Sequence, residues 1–167
     1  MQKSDPLSQP DIADRATSVL QKLCARDIHI ATAESCTGGL VAALLTDIEG
    51  CSHAFERGFV SYTDLSKHEL LGVDRGLLDA CGAVSRPVAI AMAEGAMARS
   101  GAQIAVSTTG FAGPGRPEDE EGLVHFALAR EGGNTVHRAE SFGAIGRDAI
   151  RQRCLETILD MLEESLT

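Results

Sequence analysis

The stretch from Ile28 to Leu45 restricts this chain more than any other. A β-branched run, Ile28-His29-Ile30, leads through Ala31-Thr32-Ala33-Glu34-Ser35-Cys36-Thr37-Gly38-Gly39 into Leu40-Val41-Ala42-Ala43-Leu44-Leu45. The first run reads as a buried strand and the last, rich in helix formers, as a helix. Small, hydroxylated and glycine residues therefore sit where a strand hands over to a helix. Amides at such a helix start lack intrahelical partners and can hold an anion or a developing oxyanion. Gly38 and Gly39 carry no side chain to block a ligand. Ser35, Cys36 and Thr37 are three candidate nucleophiles. The same residues equally fit a capped helix start with no ligand.

Length and composition narrow the setting. A chain of 167 residues reads as one domain able to bury roughly two-thirds of its unfolded surface. We expect residues 1–10 to form a frayed, polar tail and 11–167 the single domain. The formal charge of −9 argues against nucleic acid as the main partner. No apolar run reaches a membrane span, and the polar start is no signal peptide. Cys24, Cys36, Cys51, Cys81 and Cys154 are scattered and without CxxC spacing. That usage predicts reduced thiols in a cytoplasm and neither a zinc site nor a disulfide framework.

In chain order, Ile12, Ala16, Val19, Leu20 and Leu23 recur at helical spacing over 10–26. A strand is expected at 28–33, with His29 as a core histidine, then a helix ending near Gly50 and a strand over Phe55 to Tyr62. Thr63 or Asp64 can cap a short helix that Gly72 ends, and on it Asp64, Lys67 and His68 lie within a turn of one another. Further helices are expected at 75–81 and from Ser85 and Pro87 to Gly101, the second alanine-rich and suited to close packing on a sheet. Gln103 to Thr109 reads as a buried strand running into the glycine-rich loop Gly110-Phe111-Ala112-Gly113-Pro114-Gly115, extended by the acidic Pro117-Glu118-Asp119-Glu120-Glu121. Leu123 to Ala129 and Thr135 to Ser141 form a hairpin across 131–134, and a last helix starts at about Arg147. The pattern is a three-layer α/β/α domain with a mixed sheet. Its two glycine loops follow strand carboxyl ends, an arrangement that fits the borders of one cleft, while the second loop taken alone fits a surface turn at least as well.

Several chemistries find no pattern here. There is no GxxxxGK[ST], no GxGxxG and no HExxH, and the five histidines show no close pair in sequence. A Ser–His–Asp triad stays open, although no GxSxG elbow is present. Cys36 at a helix start is a possible thiolate. A Ser–Lys pair also remains, in which Lys67 can act as base if burial or neighbours hold it neutral.

Four blocks then carry a resemblance: Ala33-Glu34-Ser35-Cys36-Thr37-Gly38-Gly39; Phe55-Glu56-Arg57-Gly58-Phe59-Val60-Ser61-Tyr62 with Lys67 five residues on; Gly82-Ala83-Val84-Ser85; and Ser107-Thr108-Thr109-Gly110-Phe111-Ala112-Gly113-Pro114. In this order they resemble the CinA C-terminal domain family, whose stand-alone members are nicotinamide-nucleotide amidohydrolases, over about residues 12–163. The resemblance implies deamidation of nicotinamide mononucleotide to nicotinic acid mononucleotide and ammonia, with no metal and no cofactor. It implies Ser35 as nucleophile, Lys67 as base, and Tyr62 and Thr109 as hydrogen-bonding supports. Thr37, Gly38, Gly39, Gly110 and Gly113 would bind the substrate, a small nucleotide; Arg147 is a candidate for its phosphate and equally fits a salt bridge at the start of the last helix. A cytoplasmic homo-oligomer, with neither nucleic acid nor membrane as partner, completes the expectation. The chain departs from relatives at Ile145-Gly146-Arg147, where many have Gly-Asp-Arg, and at Glu120-Glu121-Gly122-Leu123, where many have a lysine before Pro-Val-Gly. Asp64 stands in place of a frequent asparagine. The altered loop keeps a different small amide open as substrate, and a non-catalytic nucleotide-binding module is the other reading.

Overall fold

The computed structural model describes residues 9–167. Its elements run α1 (Pro10–Ala25), β1 (Ile30–Glu34), α2 (Leu40–Thr46), β2 (Phe55–Val60), α3 (Asp64–Leu71), α4 (Arg75–Cys81), α5 (Arg86–Ala98), β3 (Ile104–Gly110), β4 (Leu123–Arg130), β5 (Val136–Ser141) and α6 (Arg147–Ser165). The strands form one sheet in the order β2-β1-β3-β4-β5. β1 pairs in parallel with β2 and β3, while β3–β4 and β4–β5 are antiparallel. The expected α/β class, layering and mixed sheet are therefore observed. Most of the expected tail, 1–8, lies outside the described residues, and Pro10 is already the first residue of α1.

From β1 the chain leaves to β2 on one side and returns to β3 on the other. The crevice beyond the carboxyl ends of β1 and β3 is thus a topological switch point, where open α/β sheets place ligands. The amide of Ser35 donates to Thr108 O at 3.0 Å and holds the two strand ends together there.

The two faces of the sheet differ in grain. Ile30, Ile104, Val106, Phe126 and Leu128 pack against α1, α2 and α6. On the other face Ala31, Ala33, Ala105, Ala127 and Ala129 meet α5 through Val88, Ala89, Met92, Ala93 and Ala96. Small side chains on both partners let α5 lie close enough for Ser107 Oγ to donate to Ala89 O at 2.7 Å. The end of α3 then crosses α5 at Gly95, where a Cβ would run into the Leu71 carbonyl.

Local boundaries moved for identifiable reasons. The first strand is Ile30–Glu34, not 28–33, because His29 uses its carbonyl on Gln103 and Ile104 before the ladder begins. His29 is half-buried, so it is no core histidine. Helix α2 ends at Thr46, not near Gly50, and there Thr46 Oγ1 folds back on Ala42 O. β2 stops at Val60, two residues before Tyr62. Two histidines far apart in sequence do form a pair: His125 Nδ1 and His137 Nε2 lie 3.0 Å apart across β4 and β5. Among the described residues no group of three or more His, Cys, Asp or Glu gathers as metal ligands. None of the described helices is long and apolar enough to cross a membrane.

Candidate active site

The turn between β1 and α2 is built around a buried carboxylate. Glu34 is the last residue of β1, and its side chain folds under the helix start. Its Oε2 accepts from Thr37 Oγ1 (2.7 Å), Gly39 N (3.0 Å) and Val41 N (3.0 Å), and its Oε1 accepts from Ala42 N (2.8 Å). Gly38 and Gly39, at φ of +62° and +99°, adopt left-handed conformations that side chains resist. The expectation of free helix-start amides for a ligand is corrected here, because the chain supplies its own anion to the helix dipole. Leu40 N donates to Thr37 O and Gly38 N to Ser35 O, which leaves the amides of Cys36 and Thr37 outside these bonds.

Lys67 reaches this turn from the opposite layer. A capping box of Thr63 and Ser66 starts α3 and fixes the orientation of the helix. The Lys67 side chain, only 1% exposed, runs inward beneath it. Its Nζ lies 3.0 Å from Ser35 Oγ and 3.0 Å from Ser61 O, with Tyr62 O at 3.4 Å. Burial pushes the Lys67 pKa below the ordinary lysine value, while the charges of Asp64 and Cys36 pull it back up. A serine hydroxyl against a buried, pKa-lowered amine is an arrangement that can generate a nucleophile and shuttle its proton.

The remaining candidates distribute around this pair. Cys36 is buried, and its free thiol shares a hydrogen bond with that of Cys154 on α6, an interaction that lowers the pKa of Cys36 and raises that of Cys154. Thr37 Oγ1 is engaged with Glu34 and Thr108. Thr109 Oγ1 donates to Ala83 O at 2.8 Å and anchors the loop before α5. Tyr62 offers its carbonyl to Lys67 while its ring, 64% exposed, borders a cavity of about 150 Å3. Cys36, the loop of Gly110 through Gly113 and Gly115, and Arg147 complete that lining. The Arg147 guanidinium hangs over Gly113, where a Cβ would lie 3.0 Å from Nη2. A larger cavity of about 310 Å3, between Asp64, Leu65, Arg75, Leu78 and Asp79, contains neither Ser35 nor Lys67.

Two residues escaped the sequence reading. Glu34 lay inside the quoted block, but a carboxylate at a strand end gives no sign that it will turn back under the next helix. Arg151 Nε donates to Cys36 O at 2.9 Å, and its Nη2 lies 3.4 Å from where a Cβ of Gly38 would be. Its place one turn after Arg147, at i+4 on α6, was the available signal.

Comparison with known proteins agrees with this architecture. The family model for the CinA C-terminal domain matches residues 12–166. The chain belongs to the CinA C-terminal domain family. Within that family it is similar to the Escherichia coli protein named nicotinamide-nucleotide amidohydrolase PncC, at 42% identity over 93% of this chain and 95% of that protein. It is also similar to a CinA-like protein of Akkermansia muciniphila, at 46% identity over 90% of this chain but 38% of the relative, so it spans well under half of that longer protein. Among solved structures, the competence/damage inducible protein CihA of Agrobacterium tumefaciens superposes with a TM-score of 0.90 at 44% identity, covering 95% of this chain and 96% of that one. A CinA superfamily protein of Escherichia coli gives 0.85 at 31% identity, covering 97% and 92%.

Proposed function

We propose that this chain is an amidohydrolase that deamidates nicotinamide mononucleotide to nicotinic acid mononucleotide and ammonia, using Ser35 and Lys67. The observation that carries the reading is the buried Lys67 amine 3.0 Å from Ser35 Oγ; the likeness to PncC supports the substrate. Ser35 Oγ attacks the carboxamide carbon as its proton passes to Lys67 Nζ. The amides of Cys36 and Thr37, outside the backbone bonds of the turn, are our candidates to meet the oxyanion. Lys67 returns the proton to the leaving nitrogen, which departs as ammonia. Water then attacks the acyl-enzyme with Lys67 again as base, releasing the acid and restoring Ser35. Arg147 and Arg151, on one face of α6, suit the substrate phosphate.

The deciding experiment measures ammonia release from nicotinamide mononucleotide, with EDTA present, by wild type, Ser35→Ala and Cys36→Ala. Turnover by wild type and Cys36→Ala, with loss in Ser35→Ala, is expected. Loss in Cys36→Ala with retention in Ser35→Ala would shift the nucleophile to the thiol. A second reading, an amidohydrolase of another small amide, draws on the acidic loop beside the cavity, where Asp119 Oδ2 accepts from Arg116 N at 2.7 Å and crowds Gly115. Turnover of other carboxamides but not of the mononucleotide would favour it.

Asp64 tunes the base. Its negative charge raises the Lys67 pKa, so Asp64→Asn is expected to lower it. The neutral amine then persists to lower pH, and the acid limb of the kcat/KM profile moves down the pH axis. An unmoved or upward-shifted limb would refute this role.

A further inference from the structure

Among the described residues two buried side-chain polar atoms have no hydrogen-bond partner, Thr32 Oγ1 and Ser61 Oγ. A buried hydroxyl left unpaired is destabilising, so each asks for a reason. Thr32 lies beneath Gly58 on the α2 side, where a Cβ on that glycine would press on its Oγ1. Ser61 lies at the dyad. Its amide donates to Glu34 O at 2.8 Å and extends the β2 ladder past Val60, and its carbonyl accepts from Lys67 Nζ at 3.0 Å. Side chains alternate along an extended strand, so Ser61 shares the face of Phe59, which packs against the core cluster that includes Leu71, Val88 and Met92. Lys67 comes in from that same layer.

The amine needs different partners in its two states. A neutral Nζ has two N–H donors and one lone pair; the carbonyls of Ser61 and Tyr62 meet the donors, and the lone pair meets the Ser35 hydroxyl. An ammonium has three donors. Once Ser35 Oγ is bonded to the acyl carbon it is a poor acceptor, and one N–H is left over. We propose that Ser61 Oγ is the reserve acceptor for Lys67, a positioning residue that rests unpaired while the amine is neutral and turns to it when it is charged. This rests on the Ser35–Lys67 reading above. Ser61 transfers no proton: that of Ser35 moves to Nζ as the Oγ–C bond forms, and Ser61 only accepts from Nζ–H.

The test follows the dyad without its natural substrate. Wild type and variants react with phenylmethylsulfonyl fluoride; the Ser35 Oγ–S bond forms, S–F breaks, fluoride leaves and the proton goes to Lys67. Labelling at Ser35 is followed by mass spectrometry across pH, beside thermal midpoints. Ser61→Ala is expected to label about tenfold more slowly, the loss of one hydrogen bond to a charged group, while melting no lower than wild type. Ser61→Cys, close in size but a weak acceptor, follows Ser61→Ala, and Ser61→Thr keeps the wild-type rate. Equal rates in Ser61→Ala and wild type, or a Ser61→Thr variant as slow as Ser61→Ala, overturn the proposal. If wild type labels but releases no ammonia from nicotinamide mononucleotide, slowing in Ser61→Ala still supports the reserve acceptor and only the substrate reading falls. If wild type resists labelling at Ser35, dyad and reserve acceptor fall together.

Discussion

Replacing Lys67 by methionine is expected to cut kcat for ammonia release about ten-thousand-fold, the upper range for loss of a positioned acid–base group. Stability should change little. Methionine fills similar volume and removes a desolvated amine, but it leaves the Ser61 carbonyl without its donor; these opposing effects are each about 1–3 kcal/mol. The pH dependence of stability separates the two. Burial lowers the Lys67 pKa in the folded protein, so between the folded and unfolded values the unfolded chain binds more protons. Stability of wild type therefore rises with pH across that window, which lies below the ordinary lysine value. Lys67→Met should lack this rise. Urea midpoints at several pH values, set beside steady-state kinetics, check both halves; a variant with more than a tenth of wild-type kcat would remove Lys67 from the mechanism.

Glu34→Ala is expected to cost about 3–5 kcal/mol, because it strips a buried, charge-assisted acceptor from several donors at once. Its carboxylate holds Thr37 Oγ1 and the amides of Gly39, Val41 and Ala42. Without it the amides of Gly39, Val41 and Ala42 lose their acceptor, Thr37 Oγ1 keeps only Thr108 Oγ1, and the turn carrying Ser35 loses its frame. Glu34→Gln keeps one acceptor oxygen and should fall between alanine and wild type. Urea unfolding of the three proteins measures the series. A Glu34→Ala protein within 1 kcal/mol of wild type would mean that the helix start finds other partners.

Much of the architecture was legible because it rests on periodicity. The apolar stripe on α1 and the Asp64-to-Gly72 helix were readable from spacing and caps alone. The alanine-rich run that becomes α5 was legible as a close-packing element. What spacing does not encode is where a side chain turns at the end of an element. Glu34 sits at the end of a strand, and nothing local says that it folds back under α2. The meeting of His125 with His137 depends on hairpin register, and that of Arg151 with Cys36 on how α6 docks. A Ser–Lys pair stood as one option among several in the residues, and resemblance singled out Ser35 with Lys67; their 3.0 Å separation is a product of α3 packing, which no single segment contains.

The alanine-lined face of the sheet gives this protein an uneven tolerance for change. Against α1 and α6 the core is made of large, branched side chains, which can exchange volume with their neighbours. Against α5 there are mostly methyl groups, and a methyl group has nothing to give back. Any enlargement there lifts α5, and α5 bears on α3 through Gly95 and Leu71. The distance from Lys67 to Ser35 is thus a stack height, gauged by the smallest side chains in the fold. Drift among relatives should be free on one side of the sheet and nearly frozen on the other, for reasons of clearance before any of chemistry.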